Sequence, residues 1–164
     1  MPILSPHSLE IISKSPEQTR RVGIRLGSLL RTGDTICLAG ELGSGKTTLV
    51  QGIAAGWGSM DSATSPTFVL VNVYRRPDGE RLFHLDAYRL NNAMEAEELD
   101  ITAMLESGPL VVEWAERIQE ALPAGHIWAT LTLVSDEQRD LLFLGRGTRS
   151  EALVTLLRKK VFGG

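Results

Sequence analysis

Eight residues, Gly40-Glu41-Leu42-Gly43-Ser44-Gly45-Lys46-Thr47, restrict what this chain can fold into more than any other stretch. Gly40 and Gly45 bracket four residues and Lys-Thr follows, the spacing of a phosphate-binding loop. In front, Ile36-Cys37-Leu38-Ala39 is a short apolar run, as expected of a strand buried on both faces of a parallel sheet. Behind, Leu49, Ile53 and Trp57 recur every fourth residue, one face of a helix that closes at Gly56 or Gly58. Strand, glycine loop and helix is the order that phosphate chemistry needs. Glycines let backbone N–H groups curl round a phosphate chain, and the helix N-terminus adds its positive dipole end. Lys46 supplies a point charge and the Thr47 hydroxyl a ligand for Mg²⁺. A glycine-rich turn opening an ordinary helix would need neither the strand before it nor the Lys-Thr pair. The chain is expected to bind a nucleotide through Leu42, Gly43, Ser44, Gly45, Lys46, Thr47 and Thr48.

A length of 164 residues suits one domain, spanning 1–164, with a proper core. Hydrophobic residues at 43 % and charged ones at 23 % belong to the globular class. No apolar run approaches the ~20 residues that span a bilayer. The first residues lack the basic-then-apolar order of a secretory signal. The single cysteine, Cys37, sits in an apolar strand and reads as a buried thiol in a reducing compartment, so a cytoplasmic protein is expected. A net charge of −3 gives no global attraction for nucleic acid. Arg146, Arg149, Arg158, Lys159 and Lys160 gather near the end, where a solvated helix terminus accounts for them.

In chain order, residues 9–12 read as a first strand. Ser15-Pro16-Glu17-Gln18 is a helix start: N-cap, proline at the first helical position, and glutamine to complete a capping box. Val22, Leu26, Leu29 and Leu30 form that helix's buried stripe, and Gly33 is expected to end it. After the phosphate loop and its helix, residues 61–67 are loop. Residues 68–74 and 82–86 are strands joined by Pro77-Asp78-Gly79, hence antiparallel neighbours. An acidic helix is expected over 94–105, then a strand at 110–114 that ends in an acid, then a short helix up to Pro123. Residues 127–134 and 141–144 close the sheet, and Ser150 is expected to cap a last helix with Leu153, Leu157 and Val161 on one face. The pattern predicts a three-layer α/β fold of the P-loop NTPase type. Its sheet is mixed but mostly parallel, with an antiparallel hairpin at about 68–86 and helices on both faces.

Nucleotide chemistry needs a second acid near the metal and a group to position the attacking water. Asp86 and Glu113 each end an apolar strand. If those strands flank the one ending at Ala39, both carboxylates face the metal region. Glu113 with Thr47 would then hold Mg²⁺, and Asp86 would orient the water. A strand-end carboxylate that merely caps the next turn is the plainer reading of either acid. Thr67, twenty positions after Thr47, reads equally well as a γ-phosphate sensor or as part of a Ser-Pro-Thr turn. His84, inside an apolar strand, reads as a satisfied core histidine, and Trp114 as packing beside the site or simply in the core. After Asp86, position 89 is Arg rather than the Gly of a GTPase Asp-x-x-Gly switch. No Asn-Lys-x-Asp guanine-reading motif occurs either, so ATP is expected over GTP.

Four motifs taken together resemble one family. The loop continues into Thr48; Ser65-Pro66-Thr67-Phe68, His84-Leu85-Asp86-Ala87-Tyr88-Arg89-Leu90 and Val112-Glu113-Trp114 follow in order, covering residues 40 to about 114. This is similar to the TsaE (YjeE) family of bacterial ATPases. The resemblance implies a small cytoplasmic ATPase needed for threonylcarbamoyladenosine at position 37 of tRNAs reading codons that begin with A. It implies work in a complex with the transferase subunit TsaD and its partner TsaB, with ATP binding and hydrolysis resetting that complex; tRNA is met only through it. Lys46 and the loop amides would then serve the phosphates, and Thr47 with Glu113 the Mg²⁺. Asp86 and Thr67 would be required for hydrolysis, Trp114 would support the site, and the first strand–helix junction, near 13–18, would face the adenosine. Nothing is implied beyond about residue 120.

Two other classes stay open on sequence. A small-molecule kinase would put a substrate hydroxyl where the water sits, but it needs an Arg-bearing lid, and Arg75-Arg76-Pro77-Asp78-Gly79 is too short for one. A nucleotide-dependent assembly factor would bind ATP without needing to hydrolyse it. Glu95, Glu97, Glu98 and Asp100 could meet a basic partner surface, although a solvated helix face accounts for them as well.

Overall fold

A computed structural model describes residues 7–61, 63 and 70–163. Its centre is β2 (Thr35–Gly40), the strand that delivers the chain to the glycine loop and is buried along almost all its length. On one side it pairs in parallel with β5 (Leu110–Glu113), and on the other with β6 (His126–Leu133). Next to β5 runs β4 (Arg81–Asp86), again parallel, and β3 (Val71–Arg75) closes that edge antiparallel to β4. At the opposite edge β7 (Arg139–Arg146) is antiparallel to β6, and β1 (Ser8–Ser13) is antiparallel to β7. The order is β1-β7-β6-β2-β5-β4-β3. Two antiparallel steps return β1 to the direction of β6, so five of the seven strands point the same way. The mixed, mostly parallel α/β class expected from the sequence holds.

Because successive side chains of a strand face opposite ways, β2 supplies both halves of the core. Ile36 and Leu38 join one cluster, with Leu26 of α1 (Pro16–Gly27), Ile53 of α2 (Lys46–Trp57) and Leu153 of α5 (Thr148–Phe162). Cys37 points into the other, with Ala96 of α3 (Ala93–Glu97), Ile101 of α4 (Ile101–Ser107) and Ile118 of the 3₁₀ turns after β5. Three layers result. Burial raises the Cys37 thiol pKa to about 12. The folded protein is therefore expected to resist an aromatic disulfide reagent at pH 8, with labelling tracking global unfolding in urea; fast labelling of the native protein would contradict this placement.

Helices α1 and α2 touch backbone to backbone through two glycine pairs. A Cβ added at Gly27 would sit 2.0 Å from the Ile53 carbonyl oxygen, and one at Gly56 only 1.9 Å from that of Ile24. The same holds for Gly23 against Leu49 and for Gly52 against Arg20. This close approach seats α2, and with it the glycine loop at its start, against the sheet. Gly27→Ala is expected to cost about 1–3 kcal/mol or more, the price of overpacking a filled interior. Urea denaturation checks it, and an unchanged midpoint would contradict the packing described.

Several expectations are corrected. The helix starting at Ser15 ends at Gly27 rather than Gly33; Ser28 C-caps it and Gly33 is a left-handed turn residue, φ 92°. Gln18 Oε1 accepts from the N–H of Lys14 rather than of Ser15, although Ser15 caps as expected. Of the two glycines expected to close the second helix, Gly58 does so. The acidic helix is two helices, broken where Asp100 turns left-handed (φ 53°) and caps the second through Ala103 N–H. The helix before Pro123 is a pair of 3₁₀ turns. Ser150 lies inside the first turn of α5, whose N-cap is Gly147. Of the strand expected over 68–74, residues 68 and 69 lie outside the described residues, and the described strand runs Val71–Arg75. Arg149 is no solvated cation: it donates to both Asp34 carboxylate oxygens, at 3.0 and 3.1 Å, and to the Leu29 carbonyl. Arg158 likewise bonds the Ser8 carbonyl. Among the described residues, no helix is long and apolar enough to cross a membrane.

Candidate nucleotide-binding site

At the carboxyl end of β2 the chain turns through the loop into α2. Gly43 (φ 81°) and Gly45 (φ 103°) take conformations that L side chains rarely adopt, and a Cβ at Gly40 would strike the Leu131 carbonyl 2.4 Å away. No side chain caps the first turn of α2, so no protein side chain competes there for a bound anion. The loop edges a cleft of about 400 Å³ lined also by Asp86, Tyr88, Glu113, Trp114 and Arg139. The buried Lys46 ammonium donates to the carbonyls of Gly40 (2.6 Å) and Glu41 (2.8 Å) and to Ser44 Oγ (3.3 Å), bracing the loop from within. Burial pulls its pKa below the usual lysine value, and the carboxylates of Glu113, Glu116 and Asp86 oppose that.

Glu113 ends β5 and is 3 % exposed. Its Oε1 lies 3.5 Å from Thr47 Oγ1, and its Oε2 is 2.6 Å from His84 Nε2. Asp86, at the end of β4, is in register with Glu113. Its carboxyl is held above the usual carboxylate range, first by burial and further by the Glu113 charge. The Tyr88 N–H, donating at 3.0 Å, opposes that rise. The expectation that both acid-bearing strands flank β2 is half right. β5 does, but β4 lies one strand further out and β6 takes the other flank. Asp86 still reaches the cleft, because the parallel strands end at one level.

Trp114 follows Glu113 in a left-handed conformation (φ 58°) unusual for an aromatic residue. The turn lays its indole 4.0 Å from Lys46 Nζ and 4.9 Å, ring to ring, from Tyr88. Sequence reasoning gave Tyr88 no role and missed Arg139 altogether. Arg139 donates to the Gly43 carbonyl at 3.1 Å and to those of Ser135, Asp136 and Gln138, tying the β6–β7 turn to the glycine loop. With Pro16, Thr19, Gly45, Thr48 and Glu137 it also bounds a small recess of about 30 Å³ at the start of α1. Its distance from the loop, 96 positions, left no local signal. Thr67 lies outside the described residues. Arg76, in the short hairpin turn, is engaged elsewhere. It pairs with Asp78 at 2.9 Å, donates to the Trp57 carbonyl and stacks on the Trp57 ring at the far end of α2.

The donor set fits a divalent cation bound with a nucleotide. Thr47 and Glu113 offer two hard oxygens side by side at the open helix end. No cluster of three or more His, Cys, Asp or Glu among the described residues would hold a metal alone. Mg²⁺ suits such a site, since it takes most of its ligands from phosphates and water.

Comparison with known proteins gives a consistent picture. The family model described as threonylcarbamoyl adenosine biosynthesis protein TsaE matches residues 13–141. The chain is 41 % identical over 136 residues to the tRNA threonylcarbamoyladenosine biosynthesis protein TsaE of Streptomyces coelicolor, covering 79 % of this chain and 92 % of that one. It is 34 % identical to the TsaE of Bacillus subtilis, over 85 % of this chain and 87 % of that one. The crystal structure of Bacillus subtilis YdiB superposes with a TM-score of 0.78 at 29 % identity, covering 94 % of this chain and 96 % of that one.

Proposed function

The chain belongs to the TsaE family of threonylcarbamoyl adenosine biosynthesis proteins, and on that footing we propose that it is a Mg²⁺-dependent ATPase of the cytoplasm. It serves threonylcarbamoyladenosine formation at position 37 of tRNAs reading codons that begin with A. The reading extends to its partners: it acts on a TsaB–TsaD transferase complex, which ATP binding and hydrolysis reset, and meets tRNA only through that complex.

In this account the amides of residues 42–48 and the Lys46 ammonium receive the phosphates, with Lys46 leaving the Gly40 and Glu41 carbonyls to do so. Thr47 and Glu113 hold Mg²⁺. The ion, when bound, neutralises charge on the β- and γ-phosphate oxygens. Asp86, across from Glu113, orients the attacking water, and Thr67 is required for hydrolysis. Trp114 and Tyr88 wall the cleft, and the first strand–helix junction, near 13–18, faces the adenosine end. The observation that carries the reading is the 3.5 Å approach of Glu113 to Thr47 at the uncapped N-terminus of α2. The engagement of Arg76 with Asp78 and Trp57 weighs against a kinase lid. The test is ATP hydrolysis by the purified chain, alone and with a TsaB–TsaD pair. Low activity alone that rises on addition is expected; no complex and no change would return the biological role to the kinase or assembly-factor classes.

A further inference from the structure

A buried chain of polar groups runs from the outer hairpin to the phosphate loop. The Tyr74 hydroxyl on β3 is 2.8 Å from His84 Nδ1 on β4. His84 Nε2 is 2.6 Å from Glu113 Oε2 on β5, and Glu113 Oε1 faces Thr47 on α2. Tyr74 is 4 % exposed, His84 0 % and Glu113 3 %. The roles follow from the chemistry of the groups. A carboxylate only accepts, so Nε2 carries a proton and donates to Glu113, while Nδ1 meets the tyrosine hydroxyl, which can donate or accept.

A histidine that only filled the core would need no such bond to a buried acid beside the loop. The 2.6 Å contact is short and charge-assisted, whereas the 3.5 Å contact to Thr47 is at the limit of a hydrogen bond. His84 therefore fixes the carboxylate by one oxygen and leaves the other directed at Thr47. We propose that Tyr74 and His84 are positioning residues that aim Glu113 at the cation site, and so set how strongly a divalent cation strengthens nucleotide binding. This rests on the Mg²⁺–nucleotide reading above.

The test compares affinity for mant-ADP in Mg²⁺ and in EDTA, for the unaltered chain and for Tyr74→Phe, His84→Leu and His84→Gln. Partners that orient metal ligands are typically worth about 10–100-fold in metal affinity. The Mg²⁺ enhancement is thus expected to fall at least about tenfold in His84→Leu and by a smaller factor in Tyr74→Phe. The EDTA affinities should stay the same, and His84→Gln, whose amide can still donate to Glu113, should keep most of the enhancement. Unchanged enhancement in both Tyr74→Phe and His84→Leu would overturn the proposal. So would equal losses with and without Mg²⁺, the mark of a merely structural role. If His84→Leu fails to fold, Tyr74→Phe, which removes one hydroxyl, decides alone. An unaltered chain that binds mant-ADP with no Mg²⁺ effect would instead refute the cation-site reading, and one that binds none would refute the nucleotide reading itself.

Discussion

Asp86→Ala is expected to cut ATP hydrolysis by about 10²–10⁴-fold, the range for losing a group that manages the proton or water in the reaction. Nucleotide affinity should stay nearly unchanged. The separation follows from placement. Asp86 lines the cleft beside Glu113; among the described residues its carboxylate accepts from the N–H of Tyr88, within its own turn, rather than from the loop. Removing it takes away a carboxylate whose pKa is already raised by burial, so the fold is not expected to suffer. Steady-state turnover and mant-ADP titration on the same preparation check both halves. Near-normal turnover would remove Asp86 from the mechanism, and lost affinity would make it a binding residue.

Lys46→Ala is expected to act on the other side of that division. A charge-assisted hydrogen bond contributes about 1.5–3 kcal/mol, so nucleotide affinity should fall by about 10- to 150-fold. Lys46→Arg should rescue little. The guanidinium is a broad planar fork, whereas the compact ammonium can turn from the Gly40 and Glu41 carbonyls to the phosphates while staying beside the Trp114 ring, 4.0 Å from Nζ. Calorimetric titration with MgADP checks it; wild-type affinity in Lys46→Ala would mean that the loop amides alone hold the phosphates.

The parts of the site legible in the sequence are those that local spacing encodes. The loop from Gly40 to Thr47 could be read because strand, glycines and helix adjoin in the chain, and Glu113 because an apolar run ends on it. Lateral order could not be read: nothing local says whether β4 or β6 takes the flank of β2, since long-range packing decides it. Arg139 and the Tyr74–His84 link escaped for the same reason, their partners lying 96, ten and 29 positions away. The break at Asp100 is a different failure. Helical periodicity ran on through it, while its side chain found a better use capping the next helix. The glycine contacts were legible in principle: Gly23 with Gly27, and Gly52 with Gly56, repeat at one helical turn and mark a face without side chains.

The most direct test of the central claim, that hydrolysis by this chain resets a transferase complex, is the yield of threonylcarbamoyladenosine per TsaD in a reconstituted reaction. TsaB, TsaD, tRNA, ATP and the threonylcarbamoyl donor are held fixed, and the unaltered chain is compared with Asp86→Ala. The account predicts many modified tRNAs per complex with the unaltered chain, and a yield no higher than in its absence with the variant. Repeated turnover driven equally well by Asp86→Ala that binds but does not hydrolyse ATP would contradict it, and would make the protein a nucleotide-dependent assembly factor.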